Sequence, residues 1–170
     1  METWDAIRAR RNVRAYRPDP VTAEDLDRIT EAGRRAPSAS NRQHWDFVVV
    51  TDPDQLRALS GVWRGAGHVA GAAAAIALVL PTAEDDRTRL LDYYDLGQAT
   101  YAMAVAAADL GIGTAHSSVG DQDAARKILG VPGDPADPAG RVAAGRIIAP
   151  RSSWRPAASR GRDPAGWPCR

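Results

Sequence analysis

Ala36-Pro37-Ser38-Ala39-Ser40-Asn41-Arg42-Gln43-His44-Trp45 is the stretch on which the reading of this chain turns. Before it, Thr22-Ala23-Glu24-Asp25 carries a capping hydroxyl and first-turn acids, and Leu26, Ile29, Ala32 and Ala36 recur at helical spacing. Pro37 has no N–H to continue that helix. After it, Asp46-Phe47-Val48-Val49-Val50-Thr51 reads as a buried strand. The Ser/Ala/Ser/Asn run is thus a loop pinned between a helix C-terminus and a sheet. It offers hydroxyls, a carboxamide and sterically open backbone N–H groups to a polar ligand. The plain alternative is a connection that binds nothing.

Upstream, Arg10-Arg11-Asn12-Val13-Arg14-Ala15-Tyr16 is densely cationic. On an extended strand Arg10, Asn12 and Arg14 share one side while Val13 and Tyr16 can face a core, so three donors converge as an anion site. A phosphate favours such charge-assisted donors, each contributing roughly 1.5–3 kcal/mol when well placed. A solvated basic face is the simpler reading of the cluster alone.

Together the two stretches resemble the flavin-binding signature of the FMN-dependent nitroreductase family, at the family's usual separation. The resemblance covers Met1 to about Val131. It implies an α+β fold, a central mostly antiparallel sheet wrapped by helices, and a homodimer joined along a long interface helix with FMN at two interface sites. Carried over by position, Arg10 and Asn12 match residues that hold the ribityl phosphate, with Arg11 between them. Arg14 matches the basic residue near flavin N1 and O2, the one side chain given a catalytic role. Ser38, Ala39, Ser40 and Asn41, flanked by Pro37 and Gln43, match a loop supplied by the other subunit. Asn12 stands where Ser is commoner and Arg14 where Lys is frequent; both keep a donor. His44 replaces a usual Pro and reads as structural or solvent-facing. Thr114-Ala115-His116-Ser117-Ser118-Val119-Gly120 falls where the family places amides beside flavin N5, without its acid-glycine pair.

The reaction so implied is a two-step transfer from NAD(P)H, through the flavin, to a nitroaromatic, quinone or similar small-molecule acceptor. The cofactor carries that chemistry, which accounts for the absence of an acid/base dyad in the sequence. Two rivals stay open: an FMN-dependent dehydrogenase of a biosynthetic intermediate, and a catalytically idle flavin-binding dimer.

Composition is compatible with one soluble domain. A net charge of +1 gives no reason for a nucleic-acid or anionic-membrane partner. Cys169 is the only cysteine, so there is no disulfide framework or thiolate metal set, and His44, His68 and His116 lack metal spacing. The acidic amino terminus has no apolar run for a secretory signal, and Val69 to Leu80 is too short to span a bilayer, so a reducing cytoplasm is the expected location.

Along the rest of the chain, Thr3 is expected to cap a helix from Trp4 to about Arg11, and Asp52-Pro53 to open a short one. Gly65-Ala66-Gly67 is not a dinucleotide fingerprint, because a helix precedes it and the run Ala72–Leu80 reads as a following strand. Glu84 to Leu110 is the longest helical pattern, with Leu90, Leu91, Tyr94, Ala99, Ala102, Met103, Ala106 and Leu110 on a wide apolar face and Gly97 allowing close approach. Asp121 caps a helix closed by Gly130, and Val142 to Ile148 suits a last strand. Domain organisation reads as 1–149 plus an Arg/Pro/Gly/Ser-rich tail over 150–170, without the family's C-terminal arm. That abrupt change in composition suggests a natural truncation or a reading-frame change near Gly145, leaving a disordered tail.

Overall fold

The computed structural model describes residues 2–131 and the backbone of 141–150. Helices α1 (Thr3–Ala9), α2 (Ala23–Arg34), α3 (Pro53–Leu59), α4 (Asp86–Asp109) and α5 (Gln122–Leu129) surround strands β1 (Asp46–Val50), β2 (Ala74–Leu80), β3 (Ile112–Ser117) and β4 (Arg141–Pro150). The strands form one sheet in the order β1-β2-β4-β3, antiparallel at every pairing. This is the expected α+β architecture. The final strand runs through Pro150, and the expected tail lies outside the described residues.

β2 organises the core because both its faces are covered. Ala75 and Ala77 point into an apolar cluster with Leu56, Leu59, Val62, Val69 and Ala125. Ile76, Leu78 and Leu80 alternate to the other face, against Ile29, Leu96, Ala99, Met103 and Ala107. α3 and α5 therefore lie on one side, α2 and α4 on the other. Full burial of side chains such as Ile76, Leu78 and Met103 stabilises by roughly 1.5–3 kcal/mol each. α2 meets α4 at Gly33, where a Cβ would lie 2.8 Å from Met103 Cγ and 3.0 Å from Phe47 Cζ, so only glycine permits this approach without displacing neighbours.

Local chemistry places the helix ends. Thr22 accepts from Asp25 N, Asp52 from Asp54 N and Gln55 N, Asp85 from Thr88 N, and Asp121 from Ala124 N. Gly130, at φ 64°, closes α5 in the left-handed region.

Four local expectations need correction. Thr3 is already helical: Glu2 is the cap residue, with no side-chain cap bond, and α1 stops at Ala9 because Arg10 turns extended. The cationic segment is not a full strand, since it meets the sheet only through isolated bridges, among them the parallel one of Asn12 to Thr114. β1 is an edge strand with Val49 42% exposed, not a buried one. On α4, Leu90 and Tyr94 face solvent at 68% and 69%, and the inward stripe is Asp92, Asp95, Leu96, Ala99, Thr100, Met103, Ala104, Ala107 and Ala108. Two aspartates take positions that an apolar face was expected to hold. Among the described residues, no helix is long and apolar enough to cross a membrane, and no group of three His, Cys, Asp or Glu could hold a metal ion.

Candidate functional site

The first half of the site is the segment leaving α1. Val13 N donates to Thr114 O over 2.9 Å, which lays the segment along β3. Arg11, Asn12 and Arg14 are exposed and Arg10 is partly buried. Arg42 pairs with Asp92, Arg17 with Asp19, and Arg34 and Arg35 with Glu31. Among the described residues no carboxylate is paired with Arg10 or Arg14. Two guanidinium groups are thus available to an anion where the backbone is held against a sheet edge.

Behind Arg14 lie two buried polar groups. The Tyr16 and His68 rings stand 6.4 Å apart, and neither Tyr16 Oη nor His68 Nε2 has a hydrogen-bond partner. Burial raises the Tyr16 pKa, with the Arg14 charge pulling the other way. Burial, and next the Arg14 charge, lowers that of His68, while backbone groups of Gly65 and His116 oppose the shift. Arg14, Tyr16, His68 and the backbone at Gly65 and His116 thus form one neighbourhood beside β3.

The second half is the Pro37–Gln43 loop. Ser40, Asn41 and Gln43 have φ of 53°, 55° and 51°, the only non-glycine residues at positive φ among those described. Left-handed backbone at a residue with a Cβ costs on the order of 1 kcal/mol, so this shape has to be imposed. α4 imposes it through its two buried aspartates. Asp95 Oδ2 accepts from Ala39 N over 2.8 Å, and Asp92 Oδ1 accepts from Arg42 Nη2 over 2.9 Å. Ser38 Oγ accepts from Gln43 N at 3.0 Å, and Ser38 O from Asn41 N at 2.9 Å. The loop therefore turns most of its amides inward, where open N–H groups were expected. Its groups facing solvent include the Ser40 hydroxyl, the Asn41 carboxamide and Pro37. His44 is exposed, with Nδ1 3.5 Å from Asp92 Oδ1, so it is both structural and solvent-facing.

The two halves do not meet within one chain. The loop enters β1, one edge of the sheet, while the cationic segment lies on β3, the other edge. Asp46 pairs with Val79 at one end of β2, whereas Thr114 aligns through Ile148 with Ala74 at its opposite end. Three strand spacings across and five residues along put Asp46 and Thr114 roughly 20 Å apart, at diagonal corners of the sheet.

Asp92 and Asp95 were missed in the sequence. The signal was available: two acids at i and i+3 inside an otherwise apolar pattern next to Leu96 and Ala99. Their loop partners lie 50 and 56 residues upstream, which spacing alone does not connect.

Comparison with known proteins gives a consistent set of likenesses. Residues 7–75 match the nitroreductase family. A protein of Archaeoglobus fulgidus named as an NADH dehydrogenase/NAD(P)H nitroreductase is 32% identical over 135 residues, covering 77% of this chain and 78% of that protein. The fold is similar to that of a nitroreductase family protein from Clostridium novyi, with a TM-score of 0.80 at 20% identity over 89% of this chain and 86% of the other. It is also similar to an FMN-dependent nitroreductase from Clostridium difficile, with a TM-score of 0.77 at 23% identity over 91% of each chain.

Proposed function

The chain belongs to the nitroreductase family, and from that premise we propose that it is an FMN-dependent oxidoreductase, active as a homodimer, that passes electrons from NAD(P)H to a nitroaromatic, quinone or similar small acceptor. The observation that carries this reading is the diagonal separation of two half-sites, each built and each incomplete. A second copy of the chain brings one half-site to the other.

The face for that second copy is on α4. Leu90, Tyr94, Gly97 and Tyr101 follow one another at helical spacing, with the three large side chains 48–69% exposed. A Cβ added at Gly97 would meet nothing within 4 Å, so packing inside the chain does not require glycine there. An exposed aromatic stripe around an unexplained glycine supports close helix-to-helix approach between subunits.

The residues fit FMN by the chemistry of their donors. Arg10 and Asn12 suit its phosphate, with Arg11 beside them. Arg14, backed by the half-buried Tyr16 and His68, suits the pyrimidine edge. The partner subunit's Pro37, Ser38, Ala39, Ser40, Asn41 and Gln43 would close over the ring, with Ser40 and Asn41 offering polar side chains. Held there, FMN would supply hydride chemistry at N5 between NAD(P)H and the acceptor. Arg14 would place positive charge near N1 and O2, where negative charge would develop. Asp92 and Asp95 hold the loop in its left-handed shape before any ligand arrives, which lowers the cost of ordering it on binding. For a nitro acceptor the balance is ArNO2 + NAD(P)H + H+ giving ArNO + NAD(P)+ + H2O, with the second proton drawn from solvent.

The test is the absorption spectrum and mass of the purified protein, followed by NAD(P)H oxidation with menadione. The expected result is a yellow dimer that turns over. A colourless monomer that stays colourless after FMN is added refutes the reading. A yellow dimer without turnover leaves only the flavin-binding part standing.

A further inference from the structure

Resting on the flavin oxidoreductase reading, we propose that Trp63 and Arg64 form the recognition pocket for the acceptor, and that this pocket selects a planar aromatic acceptor bearing a carboxylate. The pocket is open, lined by Gly61-Val62-Trp63-Arg64 on one wall and Gly120-Asp121-Gln122-Asp123 on the other. It adjoins the cationic half-site, because Gly65, the next residue after Arg64, meets His68 through its backbone, and the His68 ring stands 6.4 Å from that of Tyr16, two residues after Arg14.

Trp63 is held in place while keeping a free surface. Val62 O accepts from both Gly120 N at 3.1 Å and Asp121 N at 2.9 Å, clamping the segment to the β3–α5 turn. A methyl group at Gly120 would collide with the six-membered ring of Trp63, so the glycine is what lets the indole lie there. The indole is nonetheless 40% exposed, an unusual state for the largest side chain unless a partner surface covers it. A flat guest ring is the partner such a surface takes.

The charge of the pocket decides the class of guest. Asp121 and Asp123 line it, yet both carboxylates are engaged: Asp121 caps Ala124 N at 2.9 Å, and Asp123 pairs with Arg126 Nη2 at 2.6 Å. Arg64 has no carboxylate partner among the described residues, and its guanidinium lies over the Trp63 ring, with Cζ 5.6 Å from the ring centre. A guest ring that takes this face displaces the guanidinium to its rim, where a carboxylate can accept two parallel N–H bonds. An uncharged ring gains only the stacking; a carboxylate adds the charge-assisted pair, on the order of tenfold or more in affinity.

The test uses FMN-loaded dimer with 4-nitrobenzoate and the neutral 4-nitrobenzyl alcohol as paired acceptors, alongside calorimetric titration of 4-nitrobenzoate without reductant. The wild type is expected to favour the anion in kcat/KM by about tenfold. Arg64→Met should bring that ratio near one, chiefly through KM, and weaken the calorimetric affinity by about tenfold. Arg64→Lys should retain part of both, because it keeps the charge but loses the two-pronged geometry. Trp63→Leu should raise KM for both acceptors. A wild type without preference, or an Arg64→Met ratio equal to the wild type's, overturns the proposal while menadione turnover leaves the flavin reading intact. If menadione is not reduced but 4-nitrobenzoate binds in an Arg64-dependent manner, the flavin reading fails and the pocket stands.

Discussion

Arg42 donates from Nη2 to Oδ1 of Asp92 over 2.9 Å, joining the Pro37–Gln43 loop to a buried carboxylate fifty residues further along the chain. The other oxygen of Asp92 has no hydrogen-bond partner. The loop's shape therefore depends on an ion pair whose acid cannot reach water and whose base partly can.

That asymmetry predicts unequal costs. Arg42→Met leaves the Asp92 carboxylate buried and uncompensated, and is expected to destabilise the fold by about 3 kcal/mol in urea unfolding. Asp92→Leu leaves Arg42 free to turn to solvent and should cost less. Combining the two should recover most of the loss relative to Arg42→Met alone. Equal stability of Arg42→Met and wild type would mean that the pair does not hold the loop.

Gly97 separates folding from association. Alanine at this open helical position should stabilise the single chain by up to about 1 kcal/mol through helix propensity. The added methyl groups would at the same time force two α4 helices apart. Gly97→Ala is thus expected to raise the unfolding midpoint measured below the dissociation concentration, while weakening the dimer in sedimentation equilibrium. Unchanged association would place the subunit interface elsewhere.

Arg10 and Arg14 should fail in different ways. With FMN held as proposed, Arg14→Ala would remove positive charge from the pyrimidine edge, and the midpoint potential should fall by about 30 mV, the equivalent of roughly 1.4 kcal/mol for a two-electron couple. Arg10→Ala would remove the proposed phosphate contact and should raise the FMN dissociation constant by about tenfold, with little change in potential. A redox titration that gives identical potentials for wild type and Arg14→Ala would assign the wrong residue to the pyrimidine edge.

His68 gives the fold a pH dependence of known sign. Its folded pKa lies below the usual 6.5, held down first by burial and then by the Arg14 charge. The unfolded chain therefore takes up a proton that the folded chain refuses, so stability is complete above about pH 6.5 and declines as pH falls below it. His68→Asn should flatten that decline in denaturation series run from pH 7.5 to 5. Arg14→Met should raise the His68 pKa in an NMR titration; an unmoved value would show that the two side chains do not sense each other.

Glu31 produces a second, lower limb. Hydrogen bonds from Arg34 and Arg35 hold its carboxyl at about 2, well below the usual carboxylate range. The stabilisation is present above about pH 4.5 and is lost as pH falls toward 2. The group is exposed, so the limb should shrink in 0.5 M NaCl and be absent in Glu31→Gln. Persistence of the limb in Glu31→Gln would trace it to other carboxylates.

The sequence by itself determined the fold class and where most elements begin and end. Arg10, Asn12 and Arg14 were legible as donors because a dense basic run beside Val13 and Tyr16 is a local pattern. Thr22, Asp52, Asp121 and Gly130 mark helix ends by bonds that span only a few residues. Ala72–Leu80 read as a strand from its unbroken apolarity, and the structure adds that β2 is buried on both faces. What only the tertiary structure decided is whatever depends on partners distant in sequence. Asp92 and Asp95 read as interruptions of an apolar helix until the loop at Ala39 and Arg42 folds onto them. Leu90 and Tyr94 fit a core pattern as well as Leu96 and Met103 do, because periodicity gives the width of an apolar stripe but not which part another element covers. The diagonal placement of the two half-sites follows from the order β1-β2-β4-β3 and its register. Strand order is set by the competition of whole faces for burial, a balance that no single stretch of the chain contains.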